Sequence, residues 1–193
     1  MGKIAVLDDN MINMIAAGEV IERPASVIKE LLENSIDAGA GRITIEVEDG
    51  GRRLMRVIDD GGGMDVEDLA LAFELYATSK IRSPDDLLRI RTLGFRGEAL
   101  ASIGSVAKVS VTTRTAGAIG AHRLDIDCGQ REPVVPCSGD AGTTIEVRNL
   151  FYKLPARRKF LRTANTEMSH ITEHFTRIAL TQESLDLTLI HNN

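Results

Sequence analysis

The sequence predicts an α/β fold whose strands pair through antiparallel hairpins, and two observations carry that expectation. Residues 42–48 (Arg-Ile-Thr-Ile-Glu-Val-Glu) alternate with period two, Asp49-Gly50-Gly51 is a hairpin-turn signal, and residues 53–59 supply a return strand. Three further strand-like segments, 106–114, 120–127 and 143–149, follow one another with only Gly- and Pro-punctuated gaps between them. A doubly wound sheet needs a helix between successive parallel strands, so this order excludes one.

The remaining elements follow in chain order. Residues 10–17 read as a short helix with Gly18 as its stop. Pro24 sits well at a first helical position, because its missing N–H is not needed there; a helix from Pro24 to Ala38 results, with Gly39 as C-terminal cap. Asp60-Gly61-Gly62-Gly63 is a loop, 65–75 a helix, and 77–97 irregular with a short helix near Pro84–Arg89. A helix starting near Gly97 or Glu98 carries Ala99–Ile103. Residues 130–137 add a candidate fourth strand to the later set, 155–162 and 166–181 read as helices, and 185–191 as a last strand.

Bulk properties narrow the function classes. With 193 residues, 43% hydrophobic and 26% charged, the chain suits one globular domain with a real core. A formal net charge of −5 argues against a dedicated nucleic-acid binder, whose affinity comes mainly from phosphate contacts. Two cysteines, Cys128 and Cys137, complete neither a four-ligand zinc site nor a disulfide framework. No apolar run is long enough to span a bilayer and no signal-peptide core is visible, which leads to the expectation of a cytoplasmic protein without membrane association.

The candidate chemistry begins on the helix after Pro24. Glu30, Glu33, Asn34 and Asp37 fall at i, i+3, i+4 and i+7 and share one face, while Val27, Ile28, Leu31, Leu32 and Ile36 supply apolar positions on the rest of the circumference. Lys29 is expected to lie to the side of this stripe. Asn34 is a middling-to-poor residue for mid-helix and needs a reason. Its side-chain carbonyl suits a hard cation such as Mg2+ that also holds phosphates, and a carboxylate one turn away suits proton abstraction from water.

Two glycine-rich elements complement that face. In Asp59-Asp60-Gly61-Gly62-Gly63, glycines let the backbone approach a ligand, and an acid at a strand end can accept a hydrogen bond from an exocyclic amine. Gly94-Phe95-Arg96-Gly97-Glu98-Ala99-Leu100 leads into a helix whose free N–H groups suit phosphate. Thr78, Ser79 and Lys80 add hydroxyls and an ammonium. Neither element is a P-loop, and no G-x-G-x-x-G opens a βαβ unit.

Two other features carry less weight. His170-Ile171-Thr172-Glu173-His174 fits an H-x-x-E-H zinc pattern but lacks a third ligand, so a polar helix face is the better reading. Lys153, Arg157, Arg158, Lys159 and Arg162, with Phe151, Tyr152 and Phe160, form a basic-aromatic cluster that fits domain packing better than DNA contact, given the acidic whole.

The series Ala16-Ala17-Gly18-Glu19-Val20, Lys29 through Gly39, Asp59-x-Gly61-x-Gly63, Ala77 through Lys80, Gly94 through Leu100, Gly142-Thr143-Thr144 and Pro155 through Phe160 resembles the N-terminal ATPase region of the MutL family of DNA mismatch-repair proteins. The resemblance covers about residues 4 to 191. MutL proteins belong to the GHKL superfamily, with gyrase B subunits, heat-shock chaperones of the ninety-kilodalton class and histidine kinases. Within it, Gly94–Leu100 and Ala16–Val20 fit MutL better than a topoisomerase subunit. A histidine kinase is disfavoured further, because its ATP site needs no water-activating glutamate.

The resemblance implies the Bergerat ATP-binding sandwich, a mixed, mostly antiparallel sheet covered on one face by helices. It implies ATP and Mg2+ as ligands and an ATPase acting as a nucleotide-driven conformational and dimerisation switch. Glu30 resembles the general base and Asn34 the magnesium ligand, with Asp37 beside them. Asp59 resembles the adenine-recognising acid, with Gly63 and Thr143 near the base. Thr78, Ser79 and Lys80, with Gly94, Phe95, Arg96, Gly97, Glu98, Ala99 and Leu100, resemble nucleotide and phosphate contacts in a mobile lid that orders on ligand binding. The family usually has Asn after the adenine-binding Asp; Asp60 stands there instead, which leaves both Asp59 and Asp60 as candidates for that contact. The family's second subdomain, with its γ-phosphate lysine, and its C-terminal dimerisation domain are expected past Asn193, so that hydrolysis by these residues alone is expected to be slow. The implied partners are ATP, a second copy of the chain, and mismatch-recognition and other repair proteins, with DNA contacted weakly or through other regions.

Overall fold

A computed structural model describes residues 6, 9–81, 84–87, 92–94 and 97–192, apart from the side chains at 9, 10, 13, 16, 19, 84 and 87. The chain begins with α1 (Asp9–Val20) and α2 (Pro24–Asp37), followed by β1 (Arg42–Glu48), a single 3-10 turn (Asp49–Gly51) and β2 (Leu54–Asp59). Short helices α3 (Val66–Leu71) and α4 (Pro84–Leu87) precede α5 (Ala99–Val106). Strands β3 (Lys108–Arg114), β4 (Ala121–Asp127), β5 (Gln130–Arg131), β6 (Val135–Cys137) and β7 (Gly142–Arg148) come next, then α6 (Pro155–Phe160), α7 (Ala164–Thr181) and β8 (Asp186–His191).

The strands form one sheet in the order β5-β4-β3-β7-β2-β1-β8, with β6 also pairing with β4. The β1–β2, β2–β7, β3–β7 and β3–β4 ladders are antiparallel, and β8 joins β1 in parallel. Helix α7 makes that parallel return to the sheet edge, since a parallel strand cannot be reached by a tight turn.

Alternation along the strands separates two faces. Ile45, Val57, Ile145, Val111 and Leu124 stand opposite one another across β1, β2, β7, β3 and β4 and are buried under the helices. Ile28, Leu31 and Leu32 of α2, Ile103 and Val106 of α5 and Ile171 of α7 complete that core. On the opposite face, Arg56 pairs with Glu46 and Glu146, its neighbours on β1 and β7. Such opposite-charge cross-strand pairs suit a face turned to solvent. The result is a mixed, mostly antiparallel sheet covered on one face by helices, as the resemblance implies.

Three local expectations are corrected. Helix α1 continues through Gly18 to Val20. A Cβ on Gly18 would lie 1.7 Å from the Arg157 guanidinium, so this glycine makes room for α6 instead of stopping a helix. The helix expected over 65–75 ends at Leu71. Beyond it the chain turns so that Phe73 is buried against Gly104, and Arg131 donates to the Phe73 carbonyl and pairs with Glu74. The strand expected over 130–137 is split into β5 and β6 around Pro133, which cannot donate to a ladder. Among the described residues, no helix is long and apolar enough to cross a membrane.

Candidate functional site

Helix α2 organises the site. Val27, Ile28, Leu31 and Leu32 are fully buried, which fixes the rotation of the helix and presents Glu30, Glu33, Asn34 and Asp37 away from the core. Its end is held by Ala38 N–H to the Asn34 carbonyl and Gly39 N–H to that of Ile36, with Gly39 at φ 74°. The Gly62 N–H then donates to the Ala38 carbonyl at 2.9 Å. One hydrogen bond thus docks the glycine loop after β2 on the end of α2, bringing together two motifs that are separate in sequence.

The sheet row next to the apolar one is polar. Asp59, Thr143 and Thr113 stand opposite one another on β2, β7 and β3. Asp59 Oδ2 accepts from Ser35 Oγ at 2.7 Å, and Oδ1 accepts from Gly61 N at 3.0 Å and Thr143 N at 3.3 Å. Burial pushes the Asp59 carboxyl above the usual aspartate range, a rise that the hydrogen bonds from Ser35, Gly61 and Thr143 limit. Gly63, at φ 68°, brings its backbone so near β3 that a Cβ would lie 2.3 Å from the Arg114 carbonyl oxygen. Gly142 crosses Asp59 as tightly, with 2.0 Å between a Cβ and the Asp59 carbonyl oxygen. The loop and the strand end are therefore closed around Asp59 by positions that tolerate no side chain.

Asp60, adjacent in sequence, has a different task. Its Oδ1 accepts from Gly41 N and Arg42 N, both at 2.8 Å, on the outside of the α2–β1 connection. Those backbone donors, that of Arg42 foremost, hold its carboxyl below the usual aspartate range against a smaller effect of desolvation. The two adjacent acids point to opposite surroundings, and Asp59 is the one enclosed beside Thr143 and Gly63.

A second cluster lies on the next turn of α2. Lys80 Nζ donates to Asn34 Oδ1 at 2.9 Å and to Asp37 Oδ2 at 2.5 Å. The Asp37 side chain is only 8% exposed. It also accepts from the Leu93 N–H at 3.0 Å and the Gly94 N–H at 3.2 Å. Lys80 is held from behind by its own N–H, which donates to Thr78 Oγ1 at 3.1 Å, with Ser79 between them. Gly97, at φ 65°, packs on Ala77, and its carbonyl accepts from Tyr76 N at 3.0 Å. Thus residues 76–80 lie together with Gly94 and Gly97 over the end of α2. Glu98 is the N-cap of α5, Ala99 and Leu100 make its first turn, and Leu100 packs against the core. Phe95 and Arg96 lie outside the described residues.

Glu30, one turn before Asn34, is held by Lys29, whose ammonium lies 3.0 Å from Glu30 and 2.9 Å from Glu33. Lys29 therefore bridges two acids of the stripe instead of lying beside it. Burial would lower the Lys29 pKa, but hydrogen bonds to Glu33 and Glu30 outweigh it and raise the value.

Ser35 and Gly142 lie within the motifs that carry the resemblance but were given no site role from sequence, and Thr113 was missed altogether. Thr113 left a signal: in Val109-x-Val111-x-Thr113 a hydroxyl occupies a core-facing strand position where period two calls for an apolar side chain. Elsewhere, Arg157 donates to the Ile15 carbonyl and sits over the Phe151 ring, and Lys153 pairs with Asp127 beside Tyr152. These members of the basic-aromatic cluster are thus engaged within the domain. Glu173 of the H-x-x-E-H segment pairs with Arg177 on the exposed side of α7.

Residues 21–141 match the family model described as histidine kinase-, DNA gyrase B- and HSP90-like ATPase. The chain is 55% identical over 183 residues to the DNA mismatch repair protein MutL of a Bradyrhizobium species, covering 95% of this chain and 29% of that protein. It is 53% identical over 191 residues to MutL of Pseudomonas paraeruginosa, covering 98% and 30%. The chain thus spans about three-tenths of the length of these relatives. Among solved structures it superposes on the Aquifex aeolicus MutL ATPase domain complexed with ADP, with a TM-score of 0.70, 32% identity, and coverage of 89% of this chain and 61% of that one. By sequence and by fold, the chain belongs to the histidine kinase-, DNA gyrase B- and HSP90-like ATPases, and within that family it is similar to the ATPase domain of MutL.

Proposed function

We propose that residues 1–193 form the ATP-binding and ATP-hydrolysing domain of a MutL-type mismatch-repair protein of the cytoplasm, working as a nucleotide-driven switch. The observation that carries this reading is the joint placement of Asp59–Thr143 and of Asn34–Asp37–Lys80 around the end of one helix, α2. The first group offers acceptors to an exocyclic amine, and the second offers oxygen ligands and an ammonium to a metal-bound triphosphate. The relative from Aquifex aeolicus, complexed with ADP, supports a nucleotide as the ligand.

The donor set fits Mg2+. Asn34 Oδ1 and the Asp37 carboxylate are hard oxygens already engaging a cation, the Lys80 ammonium. No cluster of three or more His, Cys, Asp or Glu suited to a metal occurs among the described residues, and Mg2+ at a nucleotide site needs only one or two protein ligands beside phosphates and water. Bound there through Asn34, the ion would offset phosphate charge. The chain's own residues do the rest. Asp59 and Gly63 fix the base. Lys80 moves from Asn34 and Asp37 toward phosphate oxygens. Glu30, oriented by Lys29, accepts the proton of the water that attacks the γ-phosphorus, while the bond to the β–γ bridging oxygen breaks to leave ADP and phosphate.

Closure over the triphosphate of the lid that the MutL resemblance implies is the switch, and it would present this face to a second copy of the chain and to other repair proteins. The test is phosphate release by the full-length protein. Glu30→Ala is expected to keep nucleotide affinity and to lower turnover by about 100-fold or more. Unchanged turnover would remove Glu30 from the mechanism. Binding without phosphate release even in the unsubstituted full-length protein would favour a nucleotide-regulated module that does not turn over.

A further inference from the structure

Thr113 is fully buried beside the base end of the site, and its hydroxyl has three partners. Its Oγ1 accepts from Met64 N at 2.9 Å, donates to the Gly142 carbonyl at 3.0 Å, and lies 3.1 Å from Thr143 Oγ1. From this geometry we infer that Thr113 is a positioning residue that sets the hydrogen-bond polarity of the base pocket, so that the site selects a purine carrying a 6-amino group over one carrying a 6-oxo group. The inference rests on the reading of Asp59 and Thr143 as the base end.

A threonine hydroxyl has one proton to give and two lone pairs to receive with. The single Thr113 proton goes to the Gly142 carbonyl, and one lone pair receives the Met64 N–H. With that proton on Gly142, Thr113 turns its second lone pair to Thr143, which is thereby assigned as the donor in a contact that either hydroxyl could make. The Thr143 proton is thereby consumed inside the sheet, and its oxygen can only accept from anything in the pocket. Next to it in the same row, Asp59 receives three donors, Ser35 Oγ, Gly61 N and Thr143 N, which hold its carboxylate as an acceptor too.

Two adjacent acceptors complement the two N–H bonds of an amino group. A carbonyl oxygen in the same place meets two acceptors and finds no donor, a repulsive element that discriminates better than attraction alone. Without the Thr113 hydroxyl, Thr143 would be free to rotate its proton outward and donate to a 6-oxo group.

The probes are ATP and inosine triphosphate, titrated calorimetrically into the chain and its variants. The unsubstituted chain prefers ATP. Thr113→Val, which keeps the shape and removes the hydroxyl, lowers the ATP-to-inosine-triphosphate affinity ratio by about tenfold or more, and Thr113→Ser restores it. A role in packing alone would weaken both nucleotides in parallel and leave the ratio intact, which overturns the inference. Should Thr113→Val not fold, Thr143→Val carries the test, because Thr113 then keeps Met64 and Gly142. The ratio must fall there as well, and an unchanged ratio again overturns the inference. Asp59→Asn separates the two levels: if that variant binds ATP as tightly as the unsubstituted chain, the base-end reading fails and takes the inference with it. Loss of ATP binding in Asp59→Asn alongside an unchanged ratio in Thr113→Val removes only the role of Thr113.

Discussion

Lys80 Nζ stands 2.5 Å from Asp37 Oδ2, an ion pair that joins two residues 43 apart in sequence and fixes the loop after α3 to the end of α2. Both side chains are largely buried, and Asn34 Oδ1 completes the ammonium's surroundings at 2.9 Å. A buried pair of this kind is costly to break on one side, because the remaining charge loses its partner.

Lys80→Met should therefore lower the stability of the nucleotide-free chain by about 1–3 kcal/mol, the lower part of the range because Asp37 keeps the Leu93 and Gly94 amides. Thermal unfolding measures this. Added Mg2+ should recover part of the loss in the variant, whose Asn34 and Asp37 oxygens are then free of the ammonium, and change the unsubstituted chain little. Equal response of both to Mg2+ would show that these oxygens are not a cation site.

Asp59 carries a cost in stability. Its folded-state pKa is raised by burial, so the folded chain binds that proton more tightly than the unfolded chain. Stability attached to this group is greatest at low pH and declines as pH rises from the unfolded toward the folded value. Asp59→Asn removes the buried charge and can keep the contacts to Ser35, Gly61 and Thr143. It should raise the Tm at neutral pH by roughly 2 °C and remove the loss of stability that this group causes as pH rises through its titration, which leaves a steeper rise on the acid limb of the stability–pH profile. A lower Tm would show that the carboxylate's hydrogen bonds outweigh its desolvation.

Asp60 should behave in the opposite manner. Its pKa is depressed by backbone donors, so its contribution is present above the unfolded value and fades as pH falls through the folded one. Asp60→Ala should lower the Tm by freeing the Gly41 and Arg42 amides, while ATP affinity stays within about twofold, the size of change expected away from a ligand. A large loss of ATP affinity would return Asp60 to the base pocket.

Two glycines with similar backbone angles should differ in cost. Gly39, at φ 74°, has open space where a Cβ would go, whereas Gly63, at φ 68°, has the Arg114 carbonyl oxygen at 2.3 Å. Gly39→Ala pays only for the left-handed conformation, about 1 kcal/mol. Gly63→Ala adds a clash with backbone and should cost about 2–4 kcal/mol, measured by denaturant unfolding.

Much of this was legible in the sequence, because the informative signals were local. The Pro24 start, the Gly39 cap and the four polar positions on one face gave α2, and alternation gave β1, β2, β3, β4 and β7. What stayed hidden was set by distant packing. The reach of Lys29 across two acids depends on rotamers, the passage of α1 through Gly18 depends on Arg157, and the early end of α3 depends on burying Phe73 against Gly104. The choice between Asp59 and Asp60 is also tertiary: strand pairing places Asp59 beside Thr143, and the α2–β1 turn takes Asp60. The roles of the site residues came from family resemblance, since spacing alone describes a polar helix face equally well.

The central claim is that Asp59 and Asn34 serve opposite ends of one nucleotide. Calorimetric titration of the chain with a non-hydrolysable ATP analogue, with and without Mg2+, tests it most directly when Asp59→Asn and Asn34→Ala are measured beside the unsubstituted chain. The account predicts one site per chain, loss of binding in Asp59→Asn whether or not Mg2+ is present, and loss in Asn34→Ala of the Mg2+-dependent part of the affinity alone. Binding by Asp59→Asn at the affinity of the unsubstituted chain, or an undiminished Mg2+ effect in Asn34→Ala, would contradict it.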